Sequence, residues 1–391
     1  MDPARHCAEM VKIRSENPPG DTREVICYLD GVLSDLGISG TITKNEGGRW
    51  NLVVDHPDHS LLLCGHVDVV PAISEGWSVD PFGGVEQDGY IWGRGATDMK
   101  GGVACIISAL RRLVDAGIEP AVNLAFVCDE ETGGAYGVRD LIAKHMITPC
   151  DCLIAEPTPA LHPLNGQKGL CQVRVEFSGE PGHGSLYPHI GVSAIMEAYA
   201  LLDHLKTLNA RVYEPEGEME ATLRRSAEVL GEVYGIEGIE KVLHSITYNP
   251  GRIEGGEKAN IVAQRCTLEL DIRVPWGCDV GRLVQDIMDN APRGELIPQS
   301  IAAPSHTPAE SFIVRTTCEE IGRYYGKPAS PIVQWAASDS RFLRKAGFAC
   351  VEYGPGEIRT LHGIDERVSI ENLYAATTIY EGIIRRYLAE K

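Results

Sequence analysis

The sequence contains no apolar run approaching the roughly 20 residues needed to cross a bilayer. Its first twenty residues, MDPARHCAEMVKIRSENPPG, carry charges throughout, where a secretory leader would have an apolar centre. The expectation is a cytoplasmic protein without a helical membrane anchor. Positive charge is scarce as well: 36 Lys and Arg stand against 55 Asp and Glu, a formal net charge of -19. Nucleic acids and anionic membranes need clustered Lys and Arg, so neither is an expected partner, although a local basic pocket for an anionic substrate stays compatible. No Cys-x-x-Cys pair occurs, which removes zinc ribbons and thioredoxin-type redox motifs. Most of the twelve cysteines sit in apolar runs, as Cys64, Cys105, Cys128 and Cys171 do, and the Cys150-x-Cys152 pair reads as buried thiols. So many free thiols point to a reducing compartment. No internal repeat or low-complexity tract is present.

What is there is a long chain with two styles of patterning. At 391 residues, two domains are the default. A helical apolar stripe (Val25, Ile26, Leu29, Val32, Leu33, Leu36) precedes strand-like runs at NLVVD (51–55) and LLLCG (61–65). A helix follows ATDMKGG. Then NLAFVC (123–128) reads as a strand, YGVRDLIAKHM as a helix and CLIAE (152–156) as a strand. Such alternation predicts an α/β layer with a largely parallel sheet. Beyond NGQKG (165–169) the pattern changes to LCQVRVEFSG and CTLELDIRV, around helices near 191–206 and 218–233. This predicts an inserted α+β unit with an antiparallel sheet, completed by a helix at 279–290 and ELIPQSIAA. The α/β style resumes with a helix at 309–325, strands near 331–334 and 349–353, and a final helix at 371–388. The expected division is a discontinuous catalytic domain (1–168 and 304–391) interrupted by an inserted lid and dimerisation domain (169–303).

Polar residues collect where the predicted strands end. LLLCG runs into His66 and Asp68, NLAFVC into Asp129, Glu130 and Glu131, and CLIA into Glu156. Ligands of open α/β sheets bind at those carboxyl ends. Asp98, in GRGATDMKGG, precedes a helix, and His362 follows the strand near 349–353. Two histidines and several carboxylates without a thiolate suit Zn, Mn or Co better than a structural zinc site. Five such ligands are too many for one tetrahedral ion and suit two sharing a bridge. Plain alternatives exist: Asp98 could cap the following helix, and His66 and Asp68 could simply pair with each other. GRGATD resembles a dinucleotide loop, but it lacks a third glycine and no clear strand precedes it, which leaves a dehydrogenase a poor third reading. Glu130 and Glu131 are neighbours on extended backbone and point apart, so they need not share a task, and strand geometry allows either to bind metal.

The chain resembles the di-zinc amidohydrolase family that includes acetylornithine deacetylase and succinyl-diaminopimelate desuccinylase. The matching stretches are GHVDVVP (65–71), WGRGATDMKGG (92–102), CDEETGG (128–134), AEPT (155–158), GEPGHGSLYPHIGVSAI (179–195), KANIV (258–262), DIR (271–273), GPG (354–356) and LHGIDERV (361–368). They span nearly the whole chain.

The resemblance implies that His66 and Glu156 hold one metal, Glu131 and His362 the second, and Asp98 bridges both. Asp68 would orient the His66 imidazole, and Glu130 would be the general base. His183 would reach the active site of the partner subunit and stabilise an oxyanion, which implies a homodimer through the inserted domain. Asn260, Arg273 and Gly354 match substrate-binding positions, Arg273 being suited to a carboxylate. Both Asn260 and Arg273 lie on the inserted domain, so binding would call for domain closure. The implied reaction is hydrolysis of an N-acyl amino acid of the acetylornithine or succinyl-diaminopimelate kind. A di-/tripeptidase or carboxypeptidase is the alternative within the family, and a non-catalytic metal-binding protein the alternative outside it. The sequence departs from the family after Asn260, where the usual proline is missing, and around AASDSRFL (336–343). The acidic stretch 207–248 matches no motif.

Overall fold

The structure, a computed structural model, describes residues 2–215 and 217–389; Glu216, within the acidic stretch, lies outside them. The chain divides into two compact units, Met1–Asn165 with His306–Ile332 and Ser338–Lys391, and Gly166–Ser305 with Val333–Ala337.

The first unit is built on strands that read as continuous apolar runs because both their faces are covered. Every residue of Leu61–His66 and of Asn123–Val127 is buried. These two strands pair in parallel, with Leu63 opposite Leu124. Asp151–Ile154 joins the other side of Leu61–His66, also in parallel, and Ala349–Glu352 lies parallel beyond it. The centre is therefore parallel, as the α/β alternation predicts. The margins are not: Trp50–Val54 and Thr41–Lys44 add antiparallel strands at one side, and Glu352 pairs antiparallel with Leu164 at the other. Helix Gly101–Asp115 is buried nearly all round and packs on helices Pro3–Lys12 and Ile370–Ala389. Its start must lie close to the sheet, since a Cβ on Gly102 would fall 2.1 Å from the carbonyl oxygen of Ala155.

Three local features differ from expectation. A short strand, Tyr90–Trp92, does precede GRGATD, in a three-stranded antiparallel sheet with Val85–Gln87 and Arg367–Ser369. Strands of three residues carry too little alternation to be seen in a sequence. The helix expected over YGVRDLIAKHM shrinks to Val138–Ala143, and His145 beyond it adopts a left-handed φ of 53°. The cysteines are all free; Cys152 is buried, but Cys150 is only half-buried, short of the pair of buried thiols expected. Among the described residues, no helix is long and apolar enough to cross a membrane.

The second unit is a four-stranded antiparallel sheet in the order Thr247–Gly255, Arg265–Val274, Gly169–Ser178, Gly294–Ala302. Alternate residues (Val173, Val175, Phe177; Leu268, Leu270, Ile272) are buried in a second apolar core that includes Leu201 and Leu205 of helix Ala194–Asn209. The acidic stretch forms helices Glu218–Tyr234 and Ile239–His244. The end of the latter is tied down by Lys168, whose buried Nζ donates to the carbonyls of Val242 (2.7 Å) and Ser245 (2.6 Å).

Candidate active site

Three neighbouring parallel strands end at one edge and set the site's floor. His66 is the last residue of its strand, Glu156 follows Asp151–Ile154 by two residues, and Glu130 and Glu131 lie in the turn after Asn123–Val127. Asp98 arrives from the turn Ala96–Lys100, where the Asp98–Met99 peptide is cis. It does not cap the next helix: the N-cap of Gly101–Asp115 is Lys100, and that helix has no side-chain cap. His362 comes from the loop after Ala349–Glu352, with a left-handed φ of 57°.

These side chains form two groups that share Asp98. His66, Asp98 and Glu156 offer ligand atoms within 4.8 Å of one another, and so do Asp98, Glu131 and His362. The His66 Nε2 lies 2.9 Å from Asp98 Oδ1 and 3.8 Å from Glu156 Oε1. On the other side, His362 Nε2 lies 3.2 Å from Asp98 Oδ2 and 3.4 Å from Glu131 Oε2. The His66 Nδ1 donates to the main-chain carbonyl of Asp68 at 2.9 Å, so in the neutral ring the Nε2 lone pair faces carboxylate oxygens. Only a cation between them, a proton or a metal, makes that contact favourable.

Electrostatics state the same requirement. Burial disfavours a charge on His66, but Asp68, Asp98 and Glu156 outweigh it and raise its pKa well above the ordinary imidazole value. Hydrogen bonds to Asp98 and Glu131 raise His362 to about 10. For Asp98, burial opposes ionisation, yet His362 and His66 hold the carboxyl below its usual range. Burial pushes Glu130 and Glu156 well up, and Glu131 up. One buried oxygen of Glu131, Oε1, has no hydrogen-bond partner among the described residues. The donor set thus fits divalent metal: imidazole nitrogen plus carboxylate oxygen in both groups, a shared carboxylate, and an orphaned ligand oxygen. The negative charges of Asp98, Glu130, Glu131 and Glu156 would match two divalent ions.

Asp68 is placed differently from a simple partner of His66. Its carboxylate oxygen lies 3.5 Å from His66 Nδ1, while its oxygens accept the main-chain N–H of Glu130 (3.2 Å), the N–H of Glu131 (3.3 Å) and Asn17 Nδ2 (2.9 Å). Asn17 also donates to Thr132 at 2.9 Å. Asp129 is buried with φ 63° and accepts the N–H groups of Tyr136 and Gly137, both at 2.9 Å. It shapes the turn that presents its two acidic neighbours. Burial raises it to about 6. Asp339, in the AASDSRFL loop, is buried, both its oxygens lack hydrogen-bond partners among the described residues, and burial raises it to about 7. Gly354 packs where a Cβ would fall 2.3 Å from the carbonyl of Ala155, so contact with the strand end alone requires glycine there.

The remaining candidates lie in the second unit. His183 and Asn260 are brought together: Gly184 N donates to Asn260 O at 2.9 Å, and His183 bridges Ile261. The exposed His183 ring accepts the Ser185 N–H at Nδ1 (3.3 Å), which places the proton of the neutral ring on Nε2. Arg273 is not a vacant fork, because Asp271 takes its Nε at 2.7 Å and Nη2 at 3.1 Å.

A mixed α/β fold with carboxylate and imidazole ligands around one shared aspartate at parallel strand ends defines a metal-dependent hydrolase. A profile described as Peptidase family M20/M25/M40 matches residues 62–386, and the chain belongs to that family. It is 29% identical to acetylornithine deacetylase of Vibrio vulnificus over 99% of this chain and 98% of that one. It is 26% identical to succinyl-diaminopimelate desuccinylase of Helicobacter hepaticus, over 84% and 80%. Among solved structures, an M20 family metallo-carboxypeptidase from Sulfolobus solfataricus superposes with TM-score 0.81 at 23% identity, covering 99% of both chains. A dipeptidase from Saccharomyces cerevisiae superposes with TM-score 0.75 at 16% identity, over 99% and 95%.

Proposed function

We propose that this metallohydrolase cleaves the amide bond of an N-acyl amino acid, in the manner of the acetylornithine and succinyl-diaminopimelate deacylases. The observation that carries the reading is the pair of ligand groups sharing Asp98, with Glu130 beside Glu131 at the same strand end. In it His66, Glu156 and Asp98 would hold one ion, and Asp98, Glu131 and His362 the second. Zinc is the preferred occupant, and cobalt and manganese suit the same ligands. When bound, the two ions supply a polarised carbonyl and an acidified water. Glu130 takes the proton of the attacking water and delivers it to the leaving amine. Its burial favours the protonated form once the proton has arrived. The outward Nε2–H of His183 of the partner subunit stabilises the oxyanion. Asn260 and Arg273 hold the substrate's polar groups, Arg273 through the N–H groups that Asp271 leaves over.

The homodimer forms through the second unit in this reading. Helix Ala194–Asn209 exposes Ile195, Met196 and Tyr199, the preceding segment exposes Leu186 and Ile190, and the largely exposed edge strand Thr247–Gly255 pairs, among the described residues, on one side only. An apolar helix face beside an open sheet edge suits a twofold copy. The proposed location is the cytoplasm.

The test is a panel of N-acetyl and N-succinyl amino acids and di- and tripeptides, assayed on zinc- or cobalt-loaded protein. Turnover of the acylated amino acids is expected. Selective turnover of peptides would move the assignment to the peptidases of the family. Glu130→Ala should keep both metals and lose about 10²–10⁴-fold in rate, whereas Glu131→Ala should lose metal. A fully active Glu130→Ala protein would overturn the mechanism. Mixed His183→Ala and Glu130→Ala proteins should regain part of the activity, and no regain despite proven subunit exchange would refute the shared site.

A further inference from the structure

Glu366 lies in LHGIDERV, four residues after His362, and is wholly buried. Its carboxylate makes three hydrogen bonds. Oε1 accepts the main-chain N–H of Thr97 at 3.0 Å and that of Asp98 at 3.1 Å, and Oε2 accepts Arg94 Nη1 at 2.5 Å. Arg94, 4% exposed, turns its Nη2 to the carbonyl of His362 at 3.3 Å and sits over the Trp77 ring, 5.4 Å from its centroid. One buried ion pair therefore holds the main chain of both Asp98 and His362, the shared carboxylate and the imidazole of the second ligand group. Thr97 adds a further tie by donating its hydroxyl to the Arg367 carbonyl at 2.6 Å.

We infer that Glu366 and Arg94 are positioning residues that set the span between the two ligand groups. The inference rests on the two-ion reading given above. A shared carboxylate serves both ions only if its backbone is fixed against both histidines. The turn Ala96–Lys100 departs from helical geometry at Asp98 and Met99; Lys100 N–H closes it onto the Gly95 carbonyl at 2.9 Å, but the N–H groups of Thr97 and Asp98 themselves go to Glu366. The Glu366 carboxylate supplies the missing acceptor for two consecutive N–H groups, and a carboxylate binds such donors more strongly than a neutral carbonyl. Arg94 pairs with that carboxylate and carries the constraint to His362. The two contacts leave from different nitrogens of the planar fork, Nη1 and Nη2, a separation that the single nitrogen of an ammonium does not offer.

Glu366→Gln is the direct test, because it retains size while losing charge. In metal-free protein, hydrogen exchange of the peptide spanning residues 93–100 should accelerate by about tenfold or more, with the 103–113 peptide unchanged. Cobalt titration, followed by calorimetry and visible absorption, should show the second ion bound about tenfold to hundredfold more weakly. Arg94→Lys is the second variant, should Glu366→Gln fail to fold. It keeps a cation against Glu366 but loses the donor to His362, so it should weaken the second ion while protecting 93–100 as wild type does. Two cobalt ions held by Glu366→Gln or by Arg94→Lys with wild-type affinity, or unchanged 93–100 exchange in Glu366→Gln, overturns the positioning role alone. A wild-type chain that takes up no cobalt overturns the two-ion reading itself.

Discussion

The carboxylate of Asp68 accepts the main-chain N–H of Glu130 at 3.2 Å, one strand away from its own. The same carboxylate takes the N–H of Glu131 (3.3 Å), and the Asp68 carbonyl holds His66 Nδ1 (2.9 Å). One residue thereby fixes a ligand of each group and the proposed base. Asp68→Asn exchanges an acceptor oxygen for an amide that would face N–H donors. Zinc or cobalt affinity, read by calorimetric titration, should fall by about 10–100-fold with folding retained. Unchanged affinity would show that the turn holds its shape without this charge.

Asp129→Ala should act on stability. The alanine would leave the N–H groups of Tyr136 and Gly137 unpaired and would have to adopt a φ of 63°. A loss of about 2–4 kcal/mol in urea unfolding is expected. Asp129→Asn tolerates the left-handed backbone and keeps one acceptor, so it should lose less. Equal stabilities for the two variants would contradict this account.

Acidity should control metal uptake. Hydrogen bonds to Asp98 and Glu131 raise His362 to about 10, so the metal-free site holds it protonated at neutral pH, and the carboxylates around His66 shift that ring the same way. Divalent metal must displace those protons, and affinity should rise by at least about tenfold per pH unit from pH 6 to 8. Titrations in buffers of different ionisation enthalpy would count the protons released. For stability of the metal-free chain the sign is opposite. Between the unfolded value of about 6.5 and the folded value of about 10, the native state binds more protons. The contribution is present below about 6.5 and declines as pH rises toward 10. A His362→Ala variant should lose that decline in part.

Gly102→Ala tests the approach of helix to strand. The new methyl would lie 2.1 Å from the Ala155 carbonyl, a main-chain atom with little room to yield. Destabilisation of about 1–3 kcal/mol is expected, together with weaker metal binding, because Ala155 is bonded to Glu156. A variant with wild-type thermal midpoint and cobalt affinity would argue against the tight contact.

Much of the site's floor was legible in the residues themselves. Apolar strands announce themselves by composition, and His66, Glu130, Glu131 and Glu156 follow directly on three of them. The edge strand Thr41–Lys44 and the strand Tyr90–Trp92 have no such signal, since short runs carry little periodicity. Helix Pro3–Lys12 did have a local signal, Asp2 accepting the Ala4 N–H followed by proline at the first position. Asn17, Arg94 and Glu366 had none. Each acts on a residue that is brought beside it by the fold alone, Asn17 on Asp68 and Glu366 on Asp98.

By itself, the sequence determined the alternation of strands and helices, the change of style near residue 166, and the kinds of ligand atom delivered at the strand ends. Those properties depend on residue type and on neighbours a few positions away. Only the tertiary structure decided that Asp98 faces two histidines instead of capping a helix. It also decided that the Asp68 carboxylate turns to the Glu130 and Glu131 amides. Hydrogen bonds and ion pairs act over a few ångströms between groups whose separation in the chain is arbitrary, so their partners are set by packing.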